Sequence, residues 1–427
     1  MTDQTRRFLQ EKYQVSEALL RLHDQALADI QGEIAYYDEV REYNQLKVLH
    51  AFQEERISES MFGLTTGYGY GDLGREKLDA LYARVFGANA ALVRPHFVNG
   101  THAISCALFG NLRPGDTLLT VTGRPYDTLH QVIGIGGKNP AGSLKDLGIF
   151  YQEIDLLAGG LDFSAIATAL EDPSIKMVHL QRSTGYSWRP SLSIATLREG
   201  IAYIKSLRSD IIVFVDNCYG EFVETLEPTQ VGADLMAGSL IKNPGGSIAP
   251  TGGYIAGRED LVEHAAYRLT VPGIGGECGS TFGVTRLMFQ GFFLSPLITM
   301  EAVKSAVFAA RLMECAGFCV KPSSKEKRTD IIQAIRFGEK EPLIRFVKGI
   351  QYGAPVDSFV SCEPWAMPGY EDPVIMASGA FIQGSSIELS CDAPIREPYI
   401  AYLQGGITFD HARMGILTAL AQVLEKQ

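Results

Sequence analysis

Five short runs in this chain, "AALV", "DTLLTV", "IKMVHL", "IIVFV" and "GGYIAG", are apolar in succession rather than at every second position, and helical patterns separate them. A strand that is apolar throughout must be covered on both faces, and crossover helices between parallel strands supply both covers. The pattern predicts an α/β domain on a mostly parallel sheet, with a ligand expected beyond the carboxyl ends of its strands.

On either side of this region the periodicity is helical. Phe8, Val15, Leu19, Leu20, Leu22, Ala26 and Leu27 recur near helical spacing, and a second helix is expected around "VREYNQLKVLHAFQEERIS". The glycine-rich "TTGYGYGDLG" then leads into a helix from about Arg75 to Phe86. After Phe293, "SPLITMEAVKSAVFAARLMECAG" predicts a long helix into a smaller α+β domain, with strands at "IRFV" and "SSIELS" and a final helix "HARMGILTALAQVLEKQ". The expected organisation is a helical segment over 1–60, a large domain over 61–295 and a small C-terminal domain over 296–427.

Charge and composition exclude several classes. A net charge of −11 lacks the surplus of cations that nucleic acid or an anionic membrane would require. The N-terminus has no apolar core of a signal peptide, and no apolar run reads as long enough to cross a bilayer. Seven cysteines, an odd number without a CxxC pair, indicate neither a disulfide framework nor a zinc site. The eight histidines show no HExxH spacing, so no catalytic metal is expected. These features describe a soluble cytoplasmic protein.

The chemistry centres on "GSLIKNPGGSIAPTGGYIAG", where a single lysine, Lys242, stands among small residues. It is either a phosphate contact or a lysine held as a nucleophile, with the small residues leaving room for a bulky cofactor to approach the backbone. Upstream, the apolar strand in "SDIIVFVDNCYGEFVE" delivers Asp216 to its carboxyl end. Alone, that aspartate would be read as a helix cap. Paired with a downstream lysine it matches the needs of pyridoxal 5'-phosphate (PLP): the lysine condenses with the aldehyde, and the aspartate keeps the pyridine nitrogen protonated. In "RPHFVNGTHAISCALFG", Gly100, Thr101 and His102 open a helix whose free amides would face the phosphate, and Ser239 would add a hydroxyl. A P-loop is not indicated, because the glycines of "KNPGG" follow the lysine.

The stretches "TTGYGYGDLGREKLDALYARVFGANAALVRPHFVNGTHAI", "GRPYDTLHQVIG", "VDNCYGEFVE", "SLIKNPGGSIAPTGGYIAG" and "SSIELSCDAPIREPYIAYLQGGIT" span Thr65 to Thr408. On these strings the chain resembles fold-type I PLP enzymes of the Cys/Met metabolism superfamily, and more closely the branch of aluminium resistance proteins related to methionine gamma-lyase. The resemblance implies a mostly parallel seven-stranded sheet between helices and a smaller C-terminal domain. It implies a PLP-dependent carbon–sulfur lyase that acts on an amino acid of the cystathionine, cysteine or methionine type by β- or γ-elimination. Transamination, racemisation, replacement and silent PLP binding remain alternatives on the same scaffold.

Residue by residue, the resemblance makes Lys242 the Schiff-base lysine, Asp216 the pyridine partner, and Gly100, Thr101, His102 and Ser239 the phosphate ligands. Tyr70 falls where the superfamily reaches the cofactor phosphate of a neighbouring subunit, which implies a homodimer or homotetramer with shared sites. Asp72 stands where the superfamily commonly has a basic residue, and Ile241 where it often has a hydroxyl. Tyr126 is the candidate for stacking on the cofactor ring. Arg396 is the candidate anchor for the substrate carboxylate, since a guanidinium fork suits it, and Arg182 is the second.

Overall fold

The computed structural model describes residues 1–136, 140–367, 370 and 372–424. The chain divides into two units: one holds Tyr43–Gly185 and Ser191–Ser295, the other Met1–Glu42, Tyr186–Pro190 and Pro296–Gln427.

In the first unit seven strands form one sheet: β1 (Ala90–Arg94), β2 (Thr117–Thr120), β3 (Phe150–Glu153), β4 (Ile175–Gln181), β5 (Ile212–Asp216), β6 (Leu235–Ser239) and β7 (Gly253–Gly257). Their order is β1-β7-β6-β5-β4-β2-β3. The pairs from β3 through β6 are parallel, and β7 runs antiparallel to both neighbours. Side chains on adjacent strand positions point to opposite faces, and both faces are dry. Val213 and Val215 join one buried cluster with helix residues such as Leu78, Leu197 and Phe292, while Phe214 joins another with Ala103, Ile104 and Ala265.

Two of the strands have no apolar run in the sequence. Phe150–Glu153 is the sheet edge and is largely exposed, so nothing demands hydrophobic residues there. Leu235–Ser239, "LMAGS", is fully buried but made of small residues at its end. Lack of space is the reason: a Cβ on Gly238 would stand 2.4 Å from Glu221 Oε1.

The second unit carries a five-stranded antiparallel sheet of β8 (Cys319–Lys321), β9 (Gln333–Arg336), β10 (Val374–Ser378), β11 (Ser390–Pro394) and β12 (Ile400–Gln404), in the order β10-β11-β12-β9-β8. Two sequence expectations fail here. "IRFV" lies inside the helix Lys340–Tyr352, where Leu343, Phe346, Val347 and Ile350 make one buried helical stripe, a period that four residues alone do not reveal. "SSIELS" is loop up to Ser390, where β11 starts. The final helix is Phe409–Leu424, and the last three residues of its expected span lie outside the described residues.

The N-terminal stretch read as one segment over 1–60 forms helices Asp3–Tyr13, Glu17–Asp29 and Gln31–Glu54. Gln14 in the left-handed region ends the first, and the Ser16 side chain caps the second. Residues 1–42 cluster with the C-terminal sheet. Ion pairs Arg311–Asp29 and Lys304–Asp38 link them to the helix Thr285–Cys315. That helix is, by length and composition, apolar enough to cross a membrane, contrary to the sequence reading; 78% of its most apolar window is buried inside the protein, as in a core helix.

Candidate active site

The strand ends assemble one cavity. Gln181 closes β4 and Asp216 closes β5, and the two are register partners on adjacent parallel strands. Lys242 follows β6 by three residues. Together with Thr101, Tyr126, Thr128, Ser183, Gly185, Cys218 and Tyr219, these residues line a single pocket in the sheet-bearing unit. The crevice at the carboxyl ends is where an open parallel sheet receives a ligand.

Lys242 precedes a short turn, Asn243–Gly245, with Pro244 inside it. Asn243 Nδ2 donates to the Glu221 carbonyl at 2.9 Å, and the Pro244 carbonyl accepts from Ser295 Oγ at 2.7 Å. The turn is thus pinned on both sides of its proline. Its glycines answer to the protein rather than to a cofactor, which corrects the sequence reading. A Cβ on Gly245 would lie 1.6 Å from the Leu240 carbonyl oxygen, and one on Gly246, at φ 55°, would lie 2.3 Å from that of Gly291.

The Lys242 amine sits 3.9 Å from the centroid of the Tyr219 ring, within range of a cation–π attraction. Burial opposes its charge, but the acidic groups around it, Asp216 among them, outweigh that and raise the amine above its ordinary range. Asp216 is 5% exposed, and its Oδ1 accepts from the Cys218 amide at 3.1 Å. That bond fixes the carboxylate against the turn leaving β5. Burial, with Asp216 close by, pushes the Cys218 thiol well up, so it stays protonated.

At the helix Gly100–Asn111, Asn99 is the cap: its side chain accepts from the His102 amide at 2.9 Å, and its carbonyl accepts from Ala103 at 3.2 Å. The helix offers no carbonyl to the amides of Gly100 and Thr101, which suits them to an anion. A Cβ on Gly100 would stand 3.0 Å from Ser239 Cβ and 3.4 Å from Cys218 Sγ. Gly100, Ser239 and Cys218 therefore form one close-set wall. Thr101 Oγ1 bonds Thr128 Oγ1 at 2.9 Å.

His102 departs from the expectation. Its amide is taken by Asn99, its Nδ1 accepts from the Val98 amide at 3.2 Å, and its ring packs on Phe97. Tyr126 does line the cavity, with its amide bonded to Gln181 Oε1 at 2.7 Å. Tyr70 is 67% exposed and stacks on Tyr68 at 5.4 Å. Asp72 caps the helix Leu73–Phe86 by accepting from the Arg75 amide.

Arg182 is corrected from substrate ligand to structural cation. It is fully buried and donates to Asn217 Oδ1, the Gly220 carbonyl and Glu224 Oε2 at 2.8–2.9 Å, with Glu227 at 3.6 Å. Arg182 is not among the described residues that line the cavity. Arg182→Ala would take the ion-pair partner from Glu224 and from the buried Glu227, so we expect a loss of about 3–5 kcal/mol in unfolding free energy. A denaturant midpoint equal to that of the parent protein would refute this assignment.

Arg396 lies in the other unit, half-exposed, and pairs with Asp372 at 3.0 Å rather than with its neighbour Glu397. It lines a hollow with Tyr186, Trp188 and Tyr402. Sequence reasoning missed Gln181, Thr128, Cys218 and Asn99. A polar residue ending an apolar run, the signal that exposed Asp216, was equally present at Gln181.

The chain is similar to known proteins over most of its length. A family model described as methionine gamma-lyase matches residues 19–424. The crystal structure of a carbon-sulfur lyase involved in aluminum resistance from Clostridium novyi NT superposes with a TM-score of 0.96 at 61% identity, covering 99% of this chain and all of that one. The uncharacterized protein YnbB of Bacillus subtilis (strain 168) is 50% identical over 94% of this chain and 95% of its own length. L-methionine gamma-lyase of Pseudomonas putida is 25% identical over 47% of this chain and 46% of that enzyme.

Proposed function

The chain belongs to the methionine gamma-lyase family, and on that premise we propose that it is a PLP-dependent carbon–sulfur lyase acting on a sulfur amino acid by β- or γ-elimination. The observation that carries the reading is the meeting of Lys242 and Asp216 in one cavity at the carboxyl ends of the parallel strands. The residues fit the cofactor. The wall of Gly100 and Ser239 and the amides of Gly100 and Thr101 would hold the phosphate, Asp216 the ring nitrogen and Lys242 the aldehyde carbon. Tyr126 would supply the stacking surface.

When bound, PLP supplies an electron-accepting ring that stabilises negative charge at the substrate α-carbon. Lys242 Nζ would take the α-proton as general base and return protons as sulfur leaves. Asp216 would hold the proton of the ring nitrogen. Arg396 is proposed as the carboxylate anchor.

Tyr70, exposed beside Tyr68, supports a homodimer or homotetramer in which this tyrosine completes a neighbouring site. Seven cysteines without a disulfide suit a reducing compartment, and the cytoplasm is the proposed location.

The test is turnover of the PLP-loaded protein with cystathionine, cysteine and methionine, measuring release of a 2-oxo acid, ammonia and a thiol or sulfide. Release from one of them supports a lyase. A bound cofactor without release from any would replace the lyase reading with another PLP reaction or with silent binding.

A further inference from the structure

Within electrostatic reach of Lys242 is a carboxyl group that the proposed reaction does not use. Glu221 is fully buried; its Oε1 accepts from Tyr254 Oη at 2.8 Å, while its Oε2 has no hydrogen-bond partner. Its own carbonyl holds the side chain of Asn243, the residue next to Lys242, at 2.9 Å. On β6, Gly238 leaves the space the carboxyl occupies: a Cβ there would be 2.4 Å from Oε1 and 2.9 Å from Tyr254 Oη. Gly238 and Tyr254 are register partners on β6 and β7.

Resting on the proposed function, we infer that Glu221 is a positioning residue that sets the proton affinity of the Lys242 nitrogen. A buried acid with an idle oxygen is costly unless it is neutral or serves a charge nearby. Here both conditions are met at different pH.

Burial is the main cause that pushes Glu221 up to about 8, and neighbouring Glu227 adds to it, against the pull of its hydrogen bonds and of Lys242. The other groups around it are accounted for. Tyr82 and Tyr254 are phenols pushed well up by burial, and Cys218 is a protonated thiol. Glu227 is answered by Arg182 and by Lys47. Asp216 and the Tyr219 phenol are the other acidic groups beside Lys242, and Asp216 is proposed for the cofactor ring. Glu221 is thus a carboxyl that changes charge near pH 8 within electrostatic reach of Lys242, gaining a negative charge that favours a protonated nitrogen.

The sign for stability follows. As pH rises from the ordinary carboxyl range to about 8, the unfolded chain sheds this proton while the folded chain keeps it, so stability declines across that window. Glu221→Gln removes the decline and keeps an acceptor for Tyr254, and the variant is expected to fold.

The experiment is a pH titration of the visible absorbance band of the PLP-loaded protein, for the parent chain, Glu221→Gln and Tyr254→Phe. Without the anion the Lys242 nitrogen should hold its proton less tightly, and the midpoint of the band should fall by about one pH unit, a tenfold change in proton affinity. Tyr254→Phe, which leaves the carboxyl harder to ionise, should shift it the same way by less, and it carries the test if Glu221→Gln does not fold. Midpoints within about 0.2 units of the parent, in folded variants that bind PLP, would overturn the inference and leave the lyase reading intact. Absence of any band from the parent chain would overturn both.

Discussion

Lys242→Ala should abolish the covalent attachment of PLP and lower turnover by at least about a thousandfold, since one nitrogen serves as both the attachment point and the proton carrier. The turn itself should survive. Its order comes from Asn243, Pro244 and the glycines, which are held by Glu221, Ser295 and backbone packing and not by the lysine side chain. The expected picture is therefore a folded protein that binds PLP only reversibly. Borohydride reduction followed by mass mapping should locate the adduct on Lys242 in the parent and find none in the variant. An adduct that persists at another lysine, with turnover intact, would remove Lys242 from the mechanism.

The second large effect is expected at Asp216. Asp216→Ala deletes the carboxylate that would hold the ring proton, and a loss of about a hundred- to a thousandfold in kcat is expected from removing one preorganised electrostatic partner. Binding should weaken less than turnover, because the phosphate wall at Gly100 and Ser239 and the amine of Lys242 are untouched. One structural complication is local: the Cys218 amide loses its acceptor. Asp216→Asn retains an oxygen for that amide and separates the two effects. If the asparagine variant turned over substrate at near the parent rate, the carboxylate would be no more than a cap for the turn.

The candidate residues were legible in the sequence by two routes. Asp216 closes a buried apolar strand and Gly100 opens a helix after one, so pattern and position pointed to them together, whereas Ser239 and Lys242 close or follow β6, whose small residues show no apolar run, and were reached through the small-residue turn around the lysine. Tyr126 was reached through the resemblance alone, and the cavity received it. The residues that went unread or misread depend on distance in space. Arg182 stands at a strand end just as Asp216 does, yet its fork turns to Asn217, Glu224 and Glu227, of which the two glutamates lie more than forty positions along the chain. His102 opens the right helix, but Asn99 already occupies its amide. Glu221 was visible as a letter in "VDNCYGEFVE", and nothing in that string says that it is buried.

By itself the sequence determined the class of the first unit, because strands apolar on both faces have few ways to be covered, and it ordered aspartate before lysine along the chain. It also carried the family, since long strings of residues survive where local geometry is shared. Tertiary structure decided the rest. A four-residue window such as "IRFV" is compatible with strand or helix until Leu343 and Ile350 find a common buried face. The glycines after Lys242 look like room for a ligand until the backbone of Gly291 is seen to fill it. Charge follows the same rule: whether Glu221 is a carboxylate or a neutral acid at pH 7 depends on desolvation by residues remote in the chain.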